Sequence, residues 1–413
     1  MNDDPLKDLL HSPLDDPRPR RRRAGLAVGV VLLAAALAAG GVVLWRILGA
    51  DESATTSIPA AGPAGPATSA VSDATGAATT AAEAASTTTA ATAVTTFGIP
   101  DARVYAPLVA TDAGVLMMGG LEPVQRLNGL RFEDVWRFDD ATGQWWRVWE
   151  SGGPQYRAGA AAAYDAGSGV VVLFGGAAGS CPYPACPQNL NDTWVYDPAA
   201  GTWEERSPAV SPPARHGHTM AYDAQSDRVV LFGGDTGAQW LGDTWAYDSD
   251  ADAWVEITTA EAPWPVAQQA MAYDPSADRV VLWGGADRQE SEVWMFDLET
   301  AAWSLLGPGP GPQPAWDSCL VWDEAAGRLV LIGGTGPTVV QISESIVSTE
   351  VRARDEVWAL DLAAGTWALL GRLPEPVTAH GCARDPGSGA ILIWSVDSLL
   401  LLDLATGEGL AEP

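Results

Sequence analysis

One pattern constrains this chain more than any other feature: a four-part unit that recurs six times between about residue 100 and the C-terminus. The first part ends in an aromatic residue and an aspartate, as in GAAAAYD (159–165), GHTMAYD (217–223), QQAMAYD (268–274) and DSCLVWD (317–323), with APLVATD (106–112) and AHGCARD (379–385) as weaker copies. The second is an apolar run closed by two glycines: GVLMMGG (114–120), VVVLFGG (170–176), RVVLFGG (228–234), RVVLWGG (279–285) and RLVLIGG (328–334), while GAILIWS (389–395) lacks both glycines. The third reads EDVWRFD (133–139), NDTWVYD (191–197), GDTWAYD (242–248), SEVWMFD (291–297) and DEVWALD (355–361), with DSLLLLD (397–403) keeping the apolar pattern without tryptophan. The fourth places a tryptophan six residues beyond that last aspartate, at Trp145, Trp203, Trp254, Trp303 and Trp367, with Gly409 in the final unit.

Apolar and aromatic runs of this length, bounded by Asp, Gly and Pro, read as short strands joined by tight turns. Four such strands make one twisted sheet, and neither face of it is polar enough for water. Stacking the sheets around an axis buries both faces and shields most edges, which makes the chain all-β. The Gly-Gly pair followed by the two tryptophans resembles the kelch repeat, over about residues 100–413. The resemblance implies a six-bladed kelch-type β-propeller like the central domain of galactose oxidase, in a membrane-anchored bacterial form. The last outer strand comes either from GEGLAE (407–412) or from AVTTFG (93–98), and by analogy with other propellers the N-terminal segment is expected to complete blade six.

The residues before the repeats set the address. A polar tail (1–23) ends in RPRRRR and is followed by an apolar run at 24–45, long enough to cross a bilayer as a helix. Arginines precede the run and only Arg46 follows, so the positive-inside bias puts the N-terminus in the cytoplasm and everything beyond residue 46 outside. We expect a single-pass anchor at 24–46. A cleaved secretory signal is the alternative, and either reading exports the C-terminal part. Residues 47–96 are mostly Ala, Thr, Ser, Gly and Pro and cannot bury enough apolar surface to offset ordering, so they read as a flexible stalk carrying a propeller at 97–413.

Net charge is −29 with 23 basic residues, which argues against nucleic acid as a partner. Blade connections and the loops between second and third strands share one rim, and the long loops are found there: 121–133, 177–190, 235–241 and 335–354. Long loops on a rigid scaffold commonly carry function. A protein or glycan ligand is therefore expected on this rim, met by Arg126, Arg131, Arg157, Arg215, Trp240, Arg288, Trp316, Arg352 and Arg354, since Arg and Trp anchor interfaces most often. His218, Gln269 and His380 occupy one column, five residues before the aspartate that ends the first strand, and are placed at the mouth of the central channel.

Cys181 and Cys186 flank PYPA and would form a local disulfide outside the cytoplasm, with free thiols as the alternative, whereas Cys319 and Cys382, in the first strands of adjacent units, point to facing sides and could touch, the demanding geometry of a disulfide favouring the unbonded state over the bonded one. DSDAD (248–252) fails as a calcium loop, because Ala253 and Thr259 stand where Gly and Glu are required. No metal or cofactor is expected. A binding module is the first functional reading. A carbohydrate-active enzyme with an axial pocket, like the sialic acid epimerases or galactose oxidase that share the fold, is the second, although the copper-ligand set of galactose oxidase has no counterpart here.

Overall fold

The computed structural model describes residues 96–123, 132–178, 188–286, 292–307, 311–343 and 346–411. The tail, the apolar run at 24–46 and nearly all of the 47–96 stalk lie outside them, as do Arg126, Arg131, Arg288, Cys181 and Cys186. No helix among the described residues is long and apolar enough to cross a membrane.

Each repeat forms one antiparallel sheet with its strands in chain order. Blade three is representative, with strands Thr219–Asp223, Arg228–Phe232, Thr244–Asp248 and Ala253–Ile257. The recurring aspartate has a local cause. Asp223 Oδ1 accepts the N–H groups of Gln225 and Ser226, as Asp165 Oδ1 accepts those of Gly167 and Ser168, so each closes the hairpin that follows its strand.

The ring is closed. Every gap between neighbouring blades holds one apolar cluster, and the gap between blades six and one is filled like the others, by Leu108, Met117, Trp136 and Trp145 against Ala383, Leu392 and Trp394. Successive strand residues face opposite gaps. Val172 and Phe174 therefore pack toward blade three, and Val171 toward blade one. The fourth-strand tryptophan is the wedge. Trp254 and Trp303 pack on Phe174 and Phe232 of the preceding blades at 5.1 and 5.0 Å, and their Nε1–H groups donate to Thr193 and Thr244 Oγ1, both at 2.9 Å. Trp145 meets Trp394 of blade six edge-on at 5.7 Å.

Three expectations are corrected. Strand Thr96–Gly98 does not complete blade six. It pairs with Gln144–Trp149 and adds a fifth strand to blade one, where Gly98 passes close to the Trp136 ring; a Cβ there would come within 3.3 Å of Cη2. Blade six has three strands, and its outer side is finished by the C-terminal segment through the bridges Asp403–Glu408 and Arg372–Ala411, the second of which ties it to blade five. Cys319 and Cys382 are joined by a disulfide across the gap between blades five and six, with their Cα atoms 6.1 Å apart. Their opposite parity is what allows it, because facing sides of adjacent sheets carry alternate residues. Finally, the 335–354 stretch is not an irregular loop. Thr335–Ser343 pairs with the first half of Ile346–Asp361 as a β-ribbon extending from blade five.

Candidate interaction rim

Blade connections and the loops between second and third strands do share one rim, since Arg215 N donates to Leu190 O and Val266 N to Leu241 O. Two constructions organise it. The first is an arginine clamp in each of blades one to three. Arg215, eight residues before the end of its first strand, is fully buried. Its Nη1 and Nη2 donate to Asp243 Oδ1 and Oδ2 at 2.7 Å each, Nη1 also donates to Gly233 O at 2.9 Å, and Nε donates to Pro213 O at 2.9 Å. Arg103 makes the same set with Asp134, Gly119 O and Asp101 O, and Arg157 with Asp192, Gly175 O and Gln155 O. The carboxylate also accepts the third-strand tryptophan, Trp245 Nε1 to Asp243 Oδ2 at 2.8 Å. Burial pushes the Asp243 carboxyl up, but the hydrogen bonds and charge of Arg215 together with the Trp245 bond hold it below its ordinary value.

The second construction surrounds the axis. Six residues before the end of each first strand, or five in blade six, the backbone turns left-handed: Tyr105 (φ 56°), Gly159 (65°), Gly217 (63°), Gln268 (61°), Asp317 (54°) and Ala379 (51°). Glycine suits this conformation and the other residues adopt it at a cost, so the ring geometry dictates it rather than local preference. The residues bond head to tail: Tyr105 N to Ala379 O, Gly159 N to Tyr105 O, Gly217 N to Gly159 O, Gln268 N to Gly217 O and Asp317 N to Gln268 O, at 2.7–3.3 Å. Inside this annulus Asp317 Oδ2 accepts Tyr105 Oη–H at 3.3 Å and Gln268 Nε2–H at 3.4 Å. Burial in the narrow mouth raises the Asp317 carboxyl to about 7, against the two hydrogen bonds that favour its charged form.

The sign of the consequence is fixed. A carboxyl whose folded value lies above the unfolded one contributes stability that is complete below the unfolded value, near 4, and is lost as pH rises through about 7. Asp317→Asn keeps the neutral form at every pH and suits the left-handed backbone. Its melting temperature is expected to exceed that of the unaltered chain at pH 8, the difference shrinking steadily toward pH 4. A constant difference across that range would place the titration elsewhere.

The remaining sequence candidates are dispersed. Arg157 and Arg215 are buried in their clamps and offer nothing to a ligand, because donors fully used inside the fold cannot also face solvent. Trp240 is half-buried in the loop closed by the Asp235–Trp240 bridge, and half-buried Trp316 exchanges backbone bonds with Thr335 at the base of the ribbon. Arg354 fixes that base, donating Nη2 to Pro314 O and Pro337 O, and Arg352 is exposed on the ribbon and pairs with Glu350 at 2.6 Å. His218, Gln269 and His380 are not at the channel mouth. They lie one residue further on than the annulus, so they turn away from the axis into the gaps between blades. There Gln269 Nε2 donates to Phe232 O at 2.8 Å, and the His218 ring meets Phe174 edge-on. Burial first, then the charges of Arg215 and His216, holds His218 well below its ordinary value, and burial lowers His380 to about 4. Both are neutral packing groups at physiological pH.

Arg103, Tyr105, Gln268 and Asp317 are not among the candidates that the sequence offers. The signal was present, since Arg103, Arg157 and Arg215 share one column of the repeat, and Gly159 and Gly217 mark the left-handed column that the other three belong to. Among the described residues no group of three or more His, Cys, Asp or Glu is placed to hold a metal ion.

No curated protein matches the chain. A family model described as the KLHDC2/KLHL20/DRC7 Kelch-repeats domain matches residues 106–334, more than half of the 413 residues. Kelch propellers generally mediate protein interactions. The four-stranded blades, their interlocking tryptophans and this match together assign the chain to the kelch-repeat family of β-propellers.

Proposed function

We propose that the chain is a protein-interaction module whose partner meets the long-loop rim, and that residues 24–46 hold this rim outside the cell. The observation that carries the reading is the asymmetry of the two rims. One consists of short aspartate-closed hairpins. The other bears the left-handed annulus, the 235–241 loop and the ribbon Thr335–Ser343 with its partner strand, all set on a scaffold whose six gaps are filled. A rigid ring with elaboration on one face suits recognition, because the partner does not have to order the surface it binds. The Cys319–Cys382 disulfide supports the exported placement, since such bonds persist in oxidising compartments.

Cross-linking in living cells followed by mass spectrometry of the full chain tests the reading. Cross-links to a protein partner are expected on 235–241 and 335–354. They should disappear when 338–350 is replaced by an Asn-Gly turn, which joins the paired Pro337 and Val351 and leaves blade five paired. Cross-links concentrated on the opposite hairpins, or unchanged by the shortened ribbon, would refute it.

A further inference from the structure

The annulus is not uniform around the axis. Blades two, three and six supply Gly159, Gly217 and Ala379, whereas blades four, five and one supply Gln268, Asp317 and Tyr105, so polar side chains occupy one arc only. All three are half-buried, and water reaches them. Two oxygens of this arc are unengaged among the described residues. Asp317 Oδ2 accepts Tyr105 and Gln268, but Oδ1 accepts nothing, and Gln268 turns Nε2 to the carboxylate, which leaves its Oε1 without a donor. Neither oxygen is shut away from solvent, since the buried side-chain oxygens that lack a partner are Ser249 Oγ and Gln269 Oε1. The annulus also breaks at this point. Five of its six junctions carry an N–H···O bond, and the missing one lies between Ala379 N and Asp317 O. Across the ring, a Cβ at Gly159 or Gly217 would first meet the next blade, Gly217 N at 3.4 Å and Gln268 Cγ at 3.6 Å, so Tyr105 and Asp317 do not close the mouth over that half.

Asp317 differs from the other enclosed carboxylates of this rim. Asp134, Asp192 and Asp243 each hold an arginine. Asp317 has no counter-ion among the described residues, and only burial and its two hydrogen bonds act on the carboxyl. An enclosed carboxylate without a counter-charge is costly, and a cation relieves that cost. Titration near neutrality leaves this carboxyl ready to ionise when a cation arrives. The backbone points the same way, because tyrosine and glutamine occupy the left-handed conformation where glycine would sit without strain, and such strain is commonly kept where a side chain has a use. One carboxylate with a neutral amide oxygen beside it is too small a set for a divalent metal ion. It suits an ammonium, which is compact, carries three donors and rides on a thin stem that a narrow mouth admits. The net charge of −29 draws cations toward the surface.

We propose that the axial mouth binds a primary ammonium group, the side chain of an exposed lysine on a protein partner, which donates to Asp317 Oδ1 and Gln268 Oε1. The proposal rests on the reading of this rim as a protein-binding face, and it narrows that reading to one contact. Arginine is a poor substitute, because its planar fork is broader than an ammonium and finds one carboxylate oxygen open rather than two.

The test uses the full chain labelled with 3-fluorotyrosine, in which the Tyr105 resonance is identified by its loss in Tyr105→Phe. The probe is the blocked peptide acetyl-Gly-Lys-Gly-amide. It is expected to shift the Tyr105 ¹⁹F resonance saturably, while the same peptide acetylated on the lysine side chain leaves it in place and the arginine peptide binds about tenfold more weakly. Asp317→Asn, which suits the backbone and keeps the fold, should weaken the lysine response by about tenfold or more. Gln268→Gly, matched to the same left-handed conformation, should weaken it by about three- to tenfold. No saturation, equal responses to the lysine peptide and either control peptide, or an unchanged response in Asp317→Asn overturns the proposal. So does saturation by spermidine at about a tenth of the lysine-peptide concentration, which would give the mouth to a free polyamine. The peptide titration needs no partner and the ribbon cross-links do not involve Asp317, so the mouth and the rim can fail separately.

Discussion

Arg215→Met is expected to destabilise the propeller by about 3–5 kcal/mol, the usual cost of leaving a buried carboxylate without its partner. At about 2–4 °C per kcal/mol for a large domain, the melting temperature should fall by roughly 6–20 °C. The methionine replaces most of the arginine's volume, so the loss reports the guanidinium and its bonds to Asp243, Gly233 O and Pro213 O rather than an empty cavity. Arg352→Met is the control. That side chain is 54% exposed and pairs with Glu350 within its own ribbon, so its loss should cost under about 1 kcal/mol. Arg215→Met combined with Asp243→Leu should recover part of the stability, since removing both charges removes the penalty of the unpaired one. The clamp also sets an acid limit. Asp243 is held below its ordinary value, so its contribution is complete above the unfolded carboxylate range and is lost as pH falls through the lower folded value. Equal melting temperatures for Arg215→Met and Arg352→Met would show that the clamps do not hold the rim.

Reducing the Cys319–Cys382 disulfide is expected to cost about 4 kcal/mol by the loop-closure relation, because the bond spans 63 residues of chain. Double substitution to serine should lower the melting temperature by roughly 8–16 °C. The bond joins the first strands of blades five and six, beside the blade that has three strands and depends on the C-terminal segment for its outer side. Hydrogen exchange should therefore quicken most in Gly381–Arg384, Ile391–Ser395 and Ser398–Leu402, while blades two and three change little. A uniform increase over all blades would mean that the ring opens as one unit rather than at this gap.

The repeat columns made the architecture legible. The aspartates, paired glycines and two tryptophans of each unit mark strands, turns and wedges, and the structure places them so. Closure was not legible in the same way. Thr96–Gly98 is a three-residue strand, and its choice of blade one depends on which sheet edge lies beside it, which no local pattern encodes. The site failed by one residue in register. His218, Gln269 and His380 drew notice as polar residues in one column, yet in a strand each neighbour faces the opposite way, and the axis is lined by the column before it. Arg157 and Arg215 stand out as interface residues, yet they share one column of the repeat and each is matched by an aspartate two residues before the third-strand tryptophan, which is the sign that the fold uses them itself. The ribbon interrupts the repeat and so has the look of a loop in the sequence, although 335–343 is rich in the β-branched residues that favour strands.

The central claim is that six sheets form one ring in which blade six returns to blade one. Spin labels on exposed Asp112 of blade one and exposed Ser388 of blade six, introduced as unnatural amino acids to spare the native cysteines, measure that return directly. In a closed ring the two hairpins lie on adjacent sheets, and the interspin distance should be roughly 10–25 Å. In an open stack of six sheets spaced at about 10 Å, the same labels would be about 50 Å apart, and a distance distribution centred there would contradict the account.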